Sequence, residues 1–465
     1  MGSLITSLYT GASGIFTSQT AIQVTGNNIT NAATEGYSRQ TAHVTSSTPL
    51  TQGGLTYGTG SAVDAIDRAN DAFITRQLMA QSATYGQYEA ASTPLADIER
   101  ILDIGDTGLA SAIDSFFDAW EELSTNPSGV AERQQVVQEA ADLAYHCNQI
   151  AQQLDEVVSG INTSIESAIP DLNDQLRQIA DLNQSIMRTE LAGGDANTLR
   201  DQRDLLVQQA SETCGAAAYT DDNGMVCLQL QNGLPLVTGN VAASFSTAQV
   251  DGLTQISLTS AGTTFSLDDQ DFGGALKGWL EVRDVTLPEL HSDLDRLAYT
   301  IATDVNDLIS TMGGLDQNGN AAIALFSLVA PTNPLANAWD GAAASIAAAF
   351  DDPTLIAAGI TGTTADNSLC LEIAALRDTT SINGATYAEE YARIAANAGL
   401  LVSSNEQLLS SSGDLLDALN SKRDAVSGVS TDEEMVLLIQ YQAGYEAASN
   451  YISVVKEMLD TLLRM

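Results

Sequence analysis

Thr431-Asp432-Glu433-Glu434-Met435-Val436-Leu437-Leu438-Ile439-Gln440-Tyr441-Gln442-Ala443-Gly444-Tyr445-Glu446-Ala447-Ala448-Ser449-Asn450-Tyr451-Ile452-Ser453-Val454-Val455-Lys456-Glu457-Met458-Leu459-Asp460-Thr461-Leu462-Leu463 decides how this chain is built. Within it Leu438, Tyr441, Tyr445, Ala448, Ile452, Val455, Leu459 and Leu462 recur in steps of three and four. That is a heptad seam, the mark of a helix that pairs with another helix. The opening Thr431-Asp432-Glu433-Glu434 fits a capping box, and its carboxylates suit the positive end of the helix dipole. A helix from Asp432 to Leu463 runs roughly 48 Å at 1.5 Å per residue.

The other end of the chain answers it. Ile5, Leu8, Ala12, Ile15, Gln19, Ile22, Gly26 and Ile29 keep the same spacing with two lapses. No charged residue occurs before Glu35. An almost uncharged terminal helix makes a poor solvent-facing surface, so the spacing predicts that the two ends pair with each other or with other chains. The N-terminal stretch lacks the basic region and compact apolar core of a secretory signal. No later segment supplies about 20 clean apolar residues for a membrane span; the stretch 321–350 is interrupted by Pro331, Pro334 and Asp340.

Between the ends the pattern changes several times. Residues 36–66 read as extended, 70–90 and 92–103 as helices. Residues 109–212 are nearly continuously helical, with breaks expected at Asn126-Pro127-Ser128-Gly129, Pro170 and Gly193-Gly194. Strand alternation appears at 226–230 and 255–259 beside Asp222-Asn223-Gly224 and Asn232-Gly233 turns. Helix returns over 274–312 and from Tyr387 to the end. The fold class expected is mainly α with β-rich insertions, built on a long discontinuous helical body, with the N- and C-terminal helices pairing as a coiled coil. The expected division is terminal coiled-coil helices at 1–34 and 430–465, a helical body at 35–213, 273–312 and 385–429, a β-rich outer domain at 214–272, and a variable outer insert at 313–384 that is dispensable for assembly.

Composition narrows function. The 465 residues carry 18 Lys plus Arg against 59 Asp plus Glu, net −41. Such a polyanion repels nucleic acid and anionic lipid, so neither is an expected partner. Three His and three Lys leave little for general acid–base work. Asp316-Gln317-Asn318-Gly319-Asn320 starts like a calcium loop, but Ala321 and Ser327 stand where that loop needs Gly and Glu. Ser453-Val454-Val455-Lys456 matches S-x-x-K only on a helix surface. No enzyme, metal or cofactor is expected. The sequence leaves the state of Cys147, Cys214, Cys227 and Cys370 open; Cys214 and Cys227 could meet across a hairpin, with a disulfide the less favoured alternative.

One run is more specific. Asn27-Asn28-Ile29-Thr30-Asn31-Ala32-Ala33-Thr34-Glu35-Gly36-Tyr37-Ser38-Arg39-Gln40 places three Asn at a helix C-terminus, where Asn caps free carbonyls, and Gly36 at a sharp turn. Together with Gly11-Ala12-Ser13-Gly14 it resembles the N-terminal signature of bacterial flagellar axial proteins, the rod, hook and hook-associated proteins. Ser38-Arg39-Gln40 resembles the hook-associated branch. The segment 63–73, Phe116-Phe117, Asn126-Pro127-Ser128 and the segments 179–183 and 201–206 are similar to the family's body. Segments 427–434 and 441–463 resemble its C-terminal signature.

The resemblance implies a structural adaptor, secreted by the flagellar type III pathway without a cleaved signal, that assembles at the hook tip and joins hook to filament. Its implied partners are copies of itself in a ring, the hook protein, a second junction protein with the filament, and an export chaperone. The residues expected to carry assembly are Ile15, Ile22, Asn27, Asn28, Asn31, Gly36, Tyr37, Leu438, Tyr441, Tyr445, Ile452, Val455, Leu459 and Leu462. Another axial subunit (hook protein or flagellin) and a secreted flagellum-associated enzyme or adhesin active in the insert are the alternatives.

Overall fold

The computed structural model describes residues 2–464 apart from 53, 103–104, 106–107, 332–335, 362 and 364. The chain opens with helix α1 (Gly2–Thr30) and closes with α11 (Thr431–Arg464). After α1 comes a ribbon of β1 (Gln40–Ser46) and β4 (Ser61–Arg68), tipped by the small hairpin of β2 (Leu50–Gln52) and β3 (Leu55–Tyr57). The body follows as α2 (Ala72–Ile101), α3 (Leu109–Thr125), α4 (Val130–Leu191) and α5 (Asn197–Cys214). Strands β5 (Ala217–Thr220), β6 (Val226–Gln229), β7 (Pro235–Thr238) and β8 (Val241–Ala242) form one antiparallel sheet in sequence order. Strands β9 (Ser244–Val250), β10 (Leu253–Ser260) and β11 (Thr263–Leu267) form a second, with β10 central.

Helices α6 (Gly274–Glu281) and α7 (Leu287–Met312) are joined through a π turn at Val282–Thr286. Short elements then follow: β12 (Phe326–Ser327), α8 (Ala342–Ser345), β13 (Ala347–Ala348) and α9 (Ser368–Ala375). The last long body helix, α10 (Tyr387–Ser427), starts on a capping box between Thr386 and Glu389. The expected break at Ala91 is absent, since α2 runs through it and on through Pro94 as one helix. Asp103, the last residue of the second expected helix, lies outside the described residues. Pro170 also fails to break α4. It sits on the exposed face, while Ile165, Ile169, Leu172 and Leu176 around it are buried. Their burial outweighs the one hydrogen bond that the missing N–H costs.

A single apolar core runs from Ala91 to Val402 through Phe116, Trp120, Leu294 and Tyr391. It includes Leu228, Val237, Phe245 and Leu258 from the two sheets, which pack along α4. It also includes Leu325, Phe326, Ile346, Ile356, Leu369 and Cys370. The segment 313–384 is therefore not a peripheral insert, contrary to the expectation from its Gly- and Thr-rich composition. Helical side chains satisfy its irregular backbone. Asn306 Oδ1 accepts from the amides of Leu325 and Phe326 at 2.9 and 3.1 Å. Asp295 accepts from those of Gly341 and Ala343 at 2.8 Å each. Buried loop backbone needs such partners, and removing this segment would empty the core beside Phe116, whose ring lies 5.5 Å from that of Phe326.

All four cysteines are free and buried, so Cys214 and Cys227 form no disulfide. Among the described residues no helix is long and apolar enough to cross a membrane, and no cluster of three or more His, Cys, Asp or Glu is placed to hold a metal ion. Among the described residues, none of α1 or α11 belongs to this core. The terminal helices form a separate layer with its own packing.

Candidate assembly interface

Helices α1 and α11 pack against each other along most of their length, in antiparallel register. Gly11 faces Ile452, Gly14 faces Ala448 and Ser18 faces Gly444. At the body end Asn28 meets Glu434. On α11 the face turned to this pair is the predicted heptad seam. Val455 is buried, and Leu438, Tyr441, Tyr445, Ala448, Ile452 and Leu459 are half-buried. Leu462, at the free end, stays 54% exposed.

On α1 the face differs from the expected one. The residues turned to α11 or buried are Gly11, Gly14, Ser18, Ala21, Val24, Thr25 and Asn28. Ile5 and Gln19 of the expected seam are exposed, and Ile15 and Ile22 lie half-buried on the flank. The cause is steric. A Cβ on Gly11 would lie 2.5 Å from Ile452 Cγ1, so a side chain there would hold the two helices apart. Small residues permit close approach, and the large side chains of Tyr9 and Phe16 are left on the outside.

The body end of the pair is a polar clasp. Asn28, 1% exposed, donates from Nδ2 to Glu434 Oε2 at 3.0 Å and to the Gln40 carbonyl at 2.8 Å. Its Oδ1 accepts from the Gln40 amide at 3.0 Å and the Tyr37 hydroxyl at 2.8 Å. Glu434, also 1% exposed, takes Arg39 Nε on its other oxygen at 2.7 Å. The Arg39 amide donates to the Ser427 carbonyl at 2.8 Å. Chain start, chain end and the entry to the body thus meet in one network. Because Glu434 is turned inward, the capping box expected at Thr431 does not form; Ser430 Oγ instead accepts from the Glu433 amide at 3.4 Å.

The remaining signature residues hold this junction. Asn31 donates from Nδ2 to the Asn27 carbonyl and side-chain oxygen at 3.0 and 2.8 Å, closing the end of α1. Asn27 Nδ2 donates to the Tyr37 hydroxyl at 3.2 Å. Gly36 has φ +76°, and a Cβ there would lie 3.3 Å from Leu205 Cβ, so the turn needs glycine. Burial, then the charges of Asp201 and Glu434, push the Tyr37 hydroxyl up to about 12, keeping it a donor at neutral pH. Below the clasp, Asp201 accepts from the Ser38 amide at 3.0 Å and from Arg68 at 2.9 Å, and Arg68 also reaches Asp204 at 2.7 Å. Burial raises the Asp201 carboxyl above its ordinary range despite these donors.

The N-terminal signature pointed to Asn27, Asn28, Asn31, Gly36 and Tyr37 but not to Glu434, the acceptor that Asn28 shares with Arg39. Glu434 and Arg39 entered only as parts of motifs, because residues about 400 positions apart carry no spacing signal.

The geometry is that of an uncharged N-terminal helix paired with the C-terminal one and clasped to a helical body. Residues 423–465 match the C-terminal family model of flagellar basal body rod FlgEFG proteins, axial structural proteins of the bacterial flagellum. Residues 95–326 match the model of the helical domain of flagellar hook-associated protein FlgK. Flagellar hook-associated protein 1 of Bacillus subtilis strain 168 is 27% identical over the full chain, which covers 98% of that protein. The same-named protein of Salmonella typhimurium is 30% identical over 69% of the chain, which spans 59% of that protein's length. A solved structure described as the flagellar hook junction protein FlgK from Burkholderia pseudomallei shares the fold, with a TM-score of 0.69 at 18% identity over 76% of this chain and all of that one. The chain belongs to the flagellar hook-associated protein 1 family. It is a structural component of the flagellum that interacts with other axial components.

Proposed function

We propose that this chain is the adaptor at the hook–filament junction. It leaves the cell by the flagellar type III pathway and assembles as a ring of copies on the hook tip. There it receives the second junction protein and the filament, after release from an export chaperone. It performs no catalysis; its chemistry is burial and hydrogen bonding at subunit contacts.

The observation that carries this reading is apolar surface left over after α1 and α11 have paired. Tyr9 and Phe16 on α1 are 70% and 67% exposed, and Val436 and Ile439 on α11 are 65% and 62% exposed. Further along α11, Val454 and Met458 are also exposed. Apolar stripes of this length on two uncovered helices mark an interface. Burying each large side chain is worth about 1.5–3 kcal/mol, enough for several per helix to hold a neighbour. Of the seam and signature residues, those of α11 from Leu438 to Leu459 build the helix pair, and Asn27, Asn28, Asn31, Gly36 and Tyr37 join it to the body.

Electron microscopy of flagella from a deletion strain tests the proposal. The expected result is hooks without filaments and filament subunits in the medium. Filaments of ordinary length on such cells would refute it.

A further inference from the structure

We infer that self-association of this chain is gated by ionic strength: the terminal helices attract one another, and the helical body repels its neighbours until its charge is screened. The inference rests on the reading that copies meet through their terminal helices.

Charge is segregated along the chain. Residues 1–34 hold no Asp, Glu, Lys or Arg. Residues 431–465 hold six of the 59 acids and two of the 18 bases. That leaves 53 acids against 16 bases, net −37, on residues 35–430. The body also has few positive groups to offer a neighbour, because most of its arginines are engaged by acids of the same chain. Arg68 is held by Asp201 and Asp204, Arg377 by Asp114 and Asp118, and Arg393 by Glu390 and Asp293.

Acids are left over. Glu406, Asp414 and Asp417 on α10 are exposed and make no hydrogen bond or ion pair among the described residues. Helix α10 passes into α11 through only Gly428, Val429 and Ser430. A neighbour seated on α11 therefore brings its own acids close to these. Crowding is visible even inside one chain. In the groove of about 710 Å³ between α2 and α4, lined by Glu89, Glu156 and Glu212 and by the paired Asp97 and Arg100, burial and the charges of Glu89 and Glu35 raise the Glu212 carboxyl above its ordinary range. Bodies with this balance oppose close approach at long Debye length and stop doing so at short Debye length.

Sedimentation velocity of the full chain at near-neutral pH tests this, with NaCl as the only variable. Between about 10 mM and about 150 mM the Debye length falls from ~30 Å to ~8 Å, and the association constant is expected to rise at least tenfold. The triple variant Glu406→Gln, Asp414→Asn, Asp417→Asn is expected to associate at lower salt than the parent. Ile439→Asp, on the exposed stripe of α11, is expected to stay monomeric at every salt concentration. Association that is insensitive to salt or weakened by it overturns the inference, as does a triple variant with the parent's salt profile. If such association is still blocked by Ile439→Asp, contact through the terminal helices stands without the charge gate. A parent that never associates overturns both.

Discussion

Replacing Glu434 with Ala removes the centre of the clasp and nothing from the body core. Its carboxylate receives Asn28 at 3.0 Å and Arg39 at 2.7 Å. Hydrogen bonds to a charged group contribute about 1.5–3 kcal/mol each. Arg39 is 28% exposed, so water replaces part of its loss, whereas the Asn28 amide is left buried. The expected cost is about 2–4 kcal/mol of local stability, a factor of about 30 to 700 at 1.4 kcal/mol per tenfold. It falls on the pairing of α1 with α11, because the main core includes no residue of either helix. Hydrogen exchange read by mass spectrometry should show faster amides in both terminal helices by up to that factor. The thermal midpoint of the body, followed by calorimetry, should stay where it is in the parent. Glu434→Gln keeps an acceptor for Asn28 and should lie between parent and Ala variant. Terminal helices that exchange at the parent's rate, or a body that melts early with them, would show that the clasp does not join two separately packed layers.

Five further outcomes are expected. Gly11→Ala should loosen the helix pair despite Ala's better helix propensity, because its Cβ would meet Ile452 at 2.5 Å; Gly26→Ala, with nothing within 4 Å, should stabilise α1 by about 1 kcal/mol. Ile452→Asp should block incorporation at the hook while the body melts unchanged, and normal motility in that strain would refute the seam. Deleting residues 325–375 should unfold the body by circular dichroism, since Phe326, Ile346 and Leu369 belong to its core. Hydrogen bonds from Ser368 and Thr361 hold the Asp366 carboxyl below its ordinary range, so its contribution is present at neutral pH and lost as acid protonates it. The stability gap between parent and Asp366→Asn should therefore close below pH ~4.

The buried thiols of Cys147 and Cys214, pushed up to about 12 by desolvation, fit a structural role. A thiol rather than a thiolate is present at neutral pH, and only the thiolate is reactive. Alkylation of the native chain near pH 8 should spare both until denaturant is added.

The two terminal helices, their heptad spacing and the near absence of charge on the first were legible from the residues alone. Helical period and charge are local properties, read within a few turns. The same holds for the strand alternation around Val226 and Gln255 and for the turn that needs Gly36. The family signature was legible as well, and it named Asn28 and Tyr37 without saying what they touch. Tertiary structure alone decided which face of α1 meets α11, since Gly11 and Gly14 win that face by letting the backbones come close, a steric property that a pattern of apolar residues does not encode. It decided that Glu434 abandons its cap to join Asn28 and Arg39, for a buried carboxylate goes where donors from distant segments converge. It also drew Leu325, Phe326, Ile346, Ile356, Leu369 and Ile382 into the core, because Asn306 and Asp295 on α7 satisfy a loop backbone whose composition reads as surface.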